Sequence, residues 1–356
     1  MPIEANIADE LLTHHLDLMR FEVSVRARVL RILTELQTEL VVTLNRSDIT
    51  AFTRIRQSQL FDDVTAVIDK YYADVAAELS AATAATASTA TSHASAVINS
   101  SLQTPFSLGL PTATYLKQLA SNTLIQGAAS AEWWAKQAAD TTFRFKNAVR
   151  QGVAAGETAE QIAIRISGST RLGTTGVMDI ARSNARSLVH TSIQAVANAS
   201  RLDSFRANSD VIDHLVWLAT LDGSTCPEIC GPRDLKPYTL EDDPPEPMGH
   251  VLDWNDGPGA IHWGCRCIVT IGSKTFEQLG VDLPEPKIGR RASMDGTKSA
   301  SMSFEDFLDR KGTKFQDEVL GPGRAQLWRE KGLTLMQLLD LSGNPMTLAE
   351  LTAKYG

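Results

Sequence analysis

Aromatic side chains are scarce in this 356-residue chain: Phe, Trp and Tyr together make up 6%. The apolar fraction of 43% is enough for packed cores and too high for wholesale disorder. Those cores are therefore expected to be aliphatic and alanine-rich. No run approaches 18 consecutive apolar residues, so no transmembrane helix is expected. The start, MPIEANIADELLTHH, lacks the basic region and apolar stretch of a secretory leader, and folding in a cytoplasm is expected. Positive charge is also short: 34 Lys and Arg against 42 Asp and Glu leave a formal charge of −8. That argues against a protein whose main work is coating duplex DNA, while leaving room for a local basic patch. Cysteine is rare, and its four copies fall in one short segment as Cys226, Cys230, Cys265 and Cys267.

What is present reads mostly as helix. Stepping by four and three through Leu12, Leu16, Met19, Val23, Arg26, Leu30, Leu33, Gln37, Leu40 and Leu44 gives the seam of a long packed helix. Leu11, Leu18, Val25, Val29, Ile32 and Leu36 widen its stripe, which calls for more than one neighbour. Asn45 to Asp48 reads as a break, and a second helix runs through Ile55, Leu60, Val64, Val67, Ile68 and Tyr71. From Ser80 to Ala96 every residue but His93 is Ala, Ser or Thr. Helix is favoured there over a flexible linker, because no Gly or Pro interrupts and apolar anchors bracket the stretch. Thr104 to Pro111 reads as a loop, and Ser130 opens a helix anchored by Trp133 and Trp134. Thr158 is placed to cap the helix Ala159 to Ile166, and a long helix runs from Val177 to about Ala207.

The texture changes near Asp213. His214 to Thr220 and Cys267 to Gly272 read as strands, the first followed by a turn at Leu221 to Ser224. Short helices follow from Phe304 onward. The expected fold is mainly α with a small Cys-rich α+β module. Long helices stand at the N-terminus, with a short β-hairpin-like module and short helices toward the C-terminus. The expected segments are 1–129, a helical docking region; 130–212, a helical lead-in; 213–283, the Cys/His-stapled module; 284–303, a linker; and 304–356, a helical tail.

The cysteines carry the sharpest chemical signal. Cys226 and Cys230 are spaced C-x₃-C after the first strand, and His262, Cys265 and Cys267 are spaced H-x₂-C-x-C entering the second. Two half-sites across a long loop are how structural zinc ties segments together. The preferred ligands are Cys226, Cys230, Cys265 and Cys267, with His262 the substitute for either strand cysteine. Reduced thiols packed as small hydrophobes, or disulfides formed after lysis, are the alternatives. An enzymatic alternative takes Cys226 or Cys267 as nucleophile and His262 as base. No G-x-S-x-G elbow, Walker loop or H-E-x-x-H helix accompanies it, and a metal closed by four thiols keeps no open position, so the chain is read as non-enzymatic. His14, His15, His93, His190, His214 and His250 are dispersed and read as surface or core-edge residues. Lys287, Arg290, Arg291, Lys298, Arg310, Lys311 and Lys314 read first as a solvated linker and second as a contact for DNA phosphates.

The run Trp217 to Cys226, then Cys230-Gly231, then Ile261-His262-Trp263-Gly264-Cys265-Arg266-Cys267 resembles the phage Mu F-like head morphogenesis (minor head protein) family. That family shows a strand ending in W-x-A-x-x-D-x-x-T-C, a second Cys, and a P-x-H-x-x-C-R-C close. Residues 304–351 are similar to its C-terminal region, and the resemblance spans roughly 130–356. Ala260-Ile261 replaces the proline usual before the histidine, and His190-Thr191-Ser192 stands where the family often has R-T-E. The resemblance implies a minor head protein of a tailed phage, in few copies inside the capsid near the portal vertex, with the host cytoplasm its place during assembly. It implies work in head morphogenesis, DNA packaging or DNA ejection, with portal and other head proteins as partners and no membrane. Contact with packaged DNA and self-association through the N-terminal helices are further expectations, because an uncovered apolar seam calls for a partner. An appended effector is not expected. A zinc-ribbon nucleic-acid binder is the alternative outside this family.

Overall fold

The computed structural model describes residues 5–47, 54–102, 111–274 and 289–356. It is 61% helical, with small sheets toward the C-terminus, which is the architecture expected. The long helices come first: α1 (Ala5–Arg46), α2 (Arg54–Leu102) and α3 (Ala113–Asn122). The two-residue strands β1 (Leu124–Ile125) and β2 (Ala128–Ala129) lead into α4 (Ser130–Ala154), α5 (Ala159–Ser167) and α6 (Val177–Arg206). Then come β3 (Ile212–Leu218), β4 (Pro237–Tyr238), β5 (Ile268–Ser273), β6 (Arg290–Ser293) and β7 (Gly296–Ser299). The chain closes with α7 (Phe304–Asp309), α8 (Thr313–Leu320), α9 (Pro322–Lys331), a 3₁₀ turn at Leu335–Leu338, and α10 (Leu348–Tyr355).

Two compact units form, and they cut across the segment boundaries expected at 129/130 and 212/213. One comprises Met19–Ala85 and Ala120–Ile193; the other comprises Met1–Leu18, Thr86–Leu119 and Gln194–Gly356. The expected loop 104–110, the side chains of Leu11, Leu12 and Leu16, and residues 284–288 of the expected linker lie outside the described residues.

Neither α1 nor α2 contains Gly or Pro, and both run unbroken, α2 straight through the Ala/Ser/Thr stretch. Their burial corrects the expected seam. On α1 the buried positions among the described side chains are His14, His15, Leu18, Glu22, Val25, Val29, Leu33, Leu36, Leu40 and Leu44. Val23, placed on the seam by alternating steps of four and three, is 52% exposed. On α2, Phe61, Tyr72, Thr83 and Ala94 are buried, as are Val64, Val75, Thr86 and Val97, and Ile68, Leu79 and Ala90. Each set repeats every eleven residues. Eleven residues in three turns is about 3.67 per turn, so such a line stays on one face, whereas a strict seven-residue line drifts by about 20° per heptad. The core thus draws on both sets, Leu33, Leu40 and Leu44 from the expected seam and Leu18, Val25, Val29 and Leu36 from its flank. The stripe is covered by the chain itself, so it no longer argues for an outside partner.

The unit of residues 19–85 and 120–193 is a helical bundle. Trp134 of α4 is buried with its ring 6.2 Å from that of Tyr72, whose hydroxyl shares a 2.8 Å hydrogen bond with Thr141. Trp133 donates from its indole nitrogen to the Ile125 carbonyl at 2.7 Å, stapling α4 to the β1–β2 turn. Thr158 caps α5 as expected: its hydroxyl accepts from the Gln161 amide, and its own amide donates to the Gln161 side chain. His190 meets buried Glu22 at 2.7 Å.

In the other unit β3 is the central strand, flanked by β4 and β5, both antiparallel to it. The register pairs Trp217 with Val269 and Leu218 with Ile268, with an irregularity between Ile212 and His214. The scarce aromatics gather here, so this core is not the aliphatic one expected. Trp217, Tyr238 and Trp254 pack edge-on or tilted at 5.0–6.1 Å between ring centres. A second cluster unites Phe304, Phe307, Leu320, Trp328, Leu335 and Leu351. Within the expected linker, β6 and β7 form a hairpin. Its Arg291, read from sequence as part of a solvated basic run, is buried. It pairs with Asp234 at 2.9 and 3.0 Å and donates to the Met302 and Ala219 carbonyls.

Candidate metal centre

Two local turns bring the thiols forward. After β3 the chain makes a helical turn in which the Cys230 and Gly231 amides both donate to the Cys226 carbonyl. Cys226 and Cys230 thus sit one turn apart on one face. Asp234 holds the base of this turn, accepting from the Ala219 amide at 2.8 Å and the Phe304 amide at 2.7 Å. On the other side, the Cys265 amide donates to the His262 carbonyl, closing the turn that enters β5. Asn198 of α6 fixes that entry. Its amide nitrogen donates to the Cys267 carbonyl at 3.1 Å, and its oxygen accepts from the Val269 amide at 2.8 Å. Gly259 passes so close, at φ +82°, that a Cβ there would lie 2.5 Å from the Asn198 amide nitrogen. The tight approach aims the Gly259 N–H at the Cys265 sulfur, 3.3 Å away.

Three of the five expected ligands converge. Cys230 Sγ, His262 Nε2 and Cys265 Sγ all lie within 4.8 Å of one another. Cys230 Sγ is 3.0 Å from His262 Nε2 and 3.8 Å from Cys265 Sγ. His262 joins two of the cysteines, as its role as the substitute for a strand cysteine allows, and Cys267 lies in hydrogen-bond contact with Cys230 and Cys265. None of the four cysteines is in a disulfide. His262 Nδ1 lies 3.0 Å from the Trp263 carbonyl, the outer contact that turns Nε2 toward the sulfurs.

The electrostatics fit a ligand set. Hydrogen bonds from Cys230, then Cys267, hold the Cys265 thiol well below the ordinary range despite its burial. Contact with Cys265 drives the Cys230 thiol well above that range. Burial pushes Cys267 well up and Cys226 up. Burial works to lower His262, but its hydrogen bond to Cys265 and the charge there outweigh it, and the ring titrates above its usual value. The Cys265 thiol is thus the one whose deprotonation its neighbours favour, and a cation would extend that effect to the thiols beside it. The spacing fits too. A tetrahedral zinc with bonds of about 2.3 Å to sulfur and about 2.0 Å to nitrogen sets sulfurs about 3.8 Å apart and sulfur and nitrogen about 3.5 Å apart; Cys230–Cys265 matches at 3.8 Å, and Cys230–His262 is closer at 3.0 Å. Cys265 is 1% exposed, so its thiolate faces the chain's own donors.

Sequence reasoning missed Asn198, Asp234 and Arg291, which position the two half-sites through backbone groups and, for Arg291, through Asp234. Asn and Asp at those places carry no local signal, and Arg291 resembles its basic neighbours.

Residues 144–270 match the family model described as Phage Mu protein F like protein. The chain therefore carries a Mu F-like segment, which runs from α4 to β5 and includes all five Cys and His candidates. The resemblance read in residues 304–351 lies beyond the matched stretch. No curated protein and no solved structure matches the chain.

Proposed function

On the Mu F-like match over residues 144–270, we propose that this protein is a minor head protein of a tailed bacteriophage, acting in head morphogenesis. In this reading it is a virion component carried inside the head near the portal vertex. It contacts the portal and other head proteins and serves genome packaging or ejection. The observation that supports the reading is that the matched stretch ends on the Cys/His cluster and contains every residue of it. The cluster's part is structural. Cys230, His262 and Cys265 would hold a zinc ion, with Cys226 or Cys267 completing four ligands. The ion would tie the turn after β3 to the entry of β5, supplying cohesion and no reaction step.

The test is complementation of a phage lacking the gene. Cys230→Ser with Cys265→Ser is expected to unfold the module and abolish incorporation into heads. Normal heads with normal copy number would overturn the structural reading. His262→Ala is expected to give a partial, temperature-sensitive defect. Total loss of infectivity with the protein folded and present at normal copy number would point to chemistry at His262 instead. For the metal, elemental analysis of reduced, purified protein is expected to return one zinc per chain, and no zinc would remove it.

A further inference from the structure

In the unit of residues 19–85 and 120–193, a groove of about 660 Å³ lies between α2 and α4. The two helices run antiparallel along it. The Tyr72 hydroxyl meets Thr141 at 2.8 Å, while Lys146 and Arg150 stand 5.7 and 5.0 Å from the centre of the Phe61 ring. Ala73 and Ala76 on one helix and Ala131, Ala135 and Ala139 on the other line the groove, and such short side chains leave it open. Phe143 stands in its wall and is 65% exposed. A large ring so exposed beside an open apolar groove marks an interaction surface. The charges divide between the two rims. On α2 stand Asp62 and Asp69, both exposed and seven residues apart, which places them on one face. On α4 stand Lys146 and Arg150, one turn apart at the level of Asp62. Among the described residues none of the four has an ion-pair partner.

We propose that this groove is an interface between two copies of this chain, facing each other across a two-fold axis that lies along the groove. Such an axis carries α2 of one copy over α4 of the other at the same level. The acidic rim of each copy then meets the basic rim of the other, and Phe143 of each fills the alanine-lined space of its partner. A two-fold running across the groove would instead set acid on acid and base on base. The contact is isologous, so it closes at two copies. A helix from another protein would have to bring one acidic and one basic edge at matching spacing; a second copy of this chain carries both. The pairing needs neither the metal nor a head protein.

The experiment is sedimentation equilibrium of the full chain over a range of protein and salt concentrations, with circular dichroism of each variant. The expected result is a monomer–dimer equilibrium that weakens as salt rises. Phe143→Asp is expected to keep its helix signal and to weaken the dimer about 30-fold or more. Phe143→Ala, which adds no charge, takes its place where the aspartate variant fails to fold. Two charge-reversed variants carry the decisive comparison: Asp62→Lys with Asp69→Lys, and Lys146→Glu with Arg150→Glu. Each alone is expected to be monomeric, because all its rims then bear one sign. Their equimolar mixture is expected to form a heterodimer, because every rim then finds its opposite on the other chain. A wild-type chain that stays monomeric at its highest soluble concentration overturns the proposal, whether another head protein or a small apolar molecule then proves to fill the groove. So does a dimer that the Phe143 variants leave intact, or a mixture of the reversed variants that stays monomeric.

Discussion

Along α1 and α2 one interval repeats, with Leu18, Val29 and Leu40 on the first helix and Phe61, Tyr72, Thr83 and Ala94 on the second. Around β3 and β5 nothing repeats, and single residues carry separate tasks: Asn198 clamps a strand end, Asp234 gathers four donors, and Gly259 allows a close approach. The helices spread their stabilisation over many similar contacts, each worth a small share. The module concentrates it in a few polar groups whose loss leaves a partner buried and unpaired. Substitution should therefore be graded in the helices and abrupt in the module.

The largest effect expected is loss of the metal. Apparent binding free energy at a structural zinc is on the order of 10 kcal/mol. Chelation of the purified protein should release zinc and expose Trp217 and Trp254 together, read by a red shift in tryptophan fluorescence. An unchanged spectrum after zinc release would place the module's stability in its aromatic core. Asp234→Ala comes next. It strips the buried Arg291 of its counter-ion and two backbone amides of their acceptor, and should cost about 3–5 kcal/mol in urea unfolding.

In the helices, Leu36→Ala should cost about 2–5 kcal/mol, because Leu36 is fully buried on the eleven-residue line. Val23→Ala, at an exposed position, should stay within about 0.5 kcal/mol. Equal costs at the two sites would restore the seven-residue seam. A separate effect is set by pH. Burial, then the nearby charges of Arg201, His93 and His15, lower His14 to about 2. The native state thus keeps this imidazole neutral while the unfolded chain protonates it near 6.5. Stability tied to it is full above about pH 6.5 and declines as the pH falls below that value, by roughly 2 kcal/mol at pH 5. His14→Gln should flatten that part of the pH–stability curve.

Much of the local architecture was legible because its causes are local. Unbroken stretches free of Gly and Pro became α1 and α2, including the Ala/Ser/Thr run of α2. Thr158 announced the start of α5, and the apolar runs bounded by turns became β3 and β5. The seam was misread for a physical reason. Leu30 and Leu33 are both apolar, and so are Val23 and Val25, so composition permits either period. Only packing against a neighbour selects the line that stays on one face. The cysteines and His262 were found at once, since their clustering in 356 residues is itself a signal, but spacing left open which of the five converge.

The sequence by itself determined the long helices, the strands β3 and β5, and which short stretch carries soft ligands, while the β6–β7 hairpin lay hidden in the expected linker. Caps, breakers and side-chain periodicity act within a few residues. Tertiary structure decided the rest. Asn198 meets the Cys267 carbonyl across 69 positions, Arg291 meets Asp234 across 57, and His14 meets Arg201 across 187. No local rule joins residues so far apart. A buried charge or amide gains its role only when folding removes water and leaves it one partner, and that partner is chosen by the packing of whole elements.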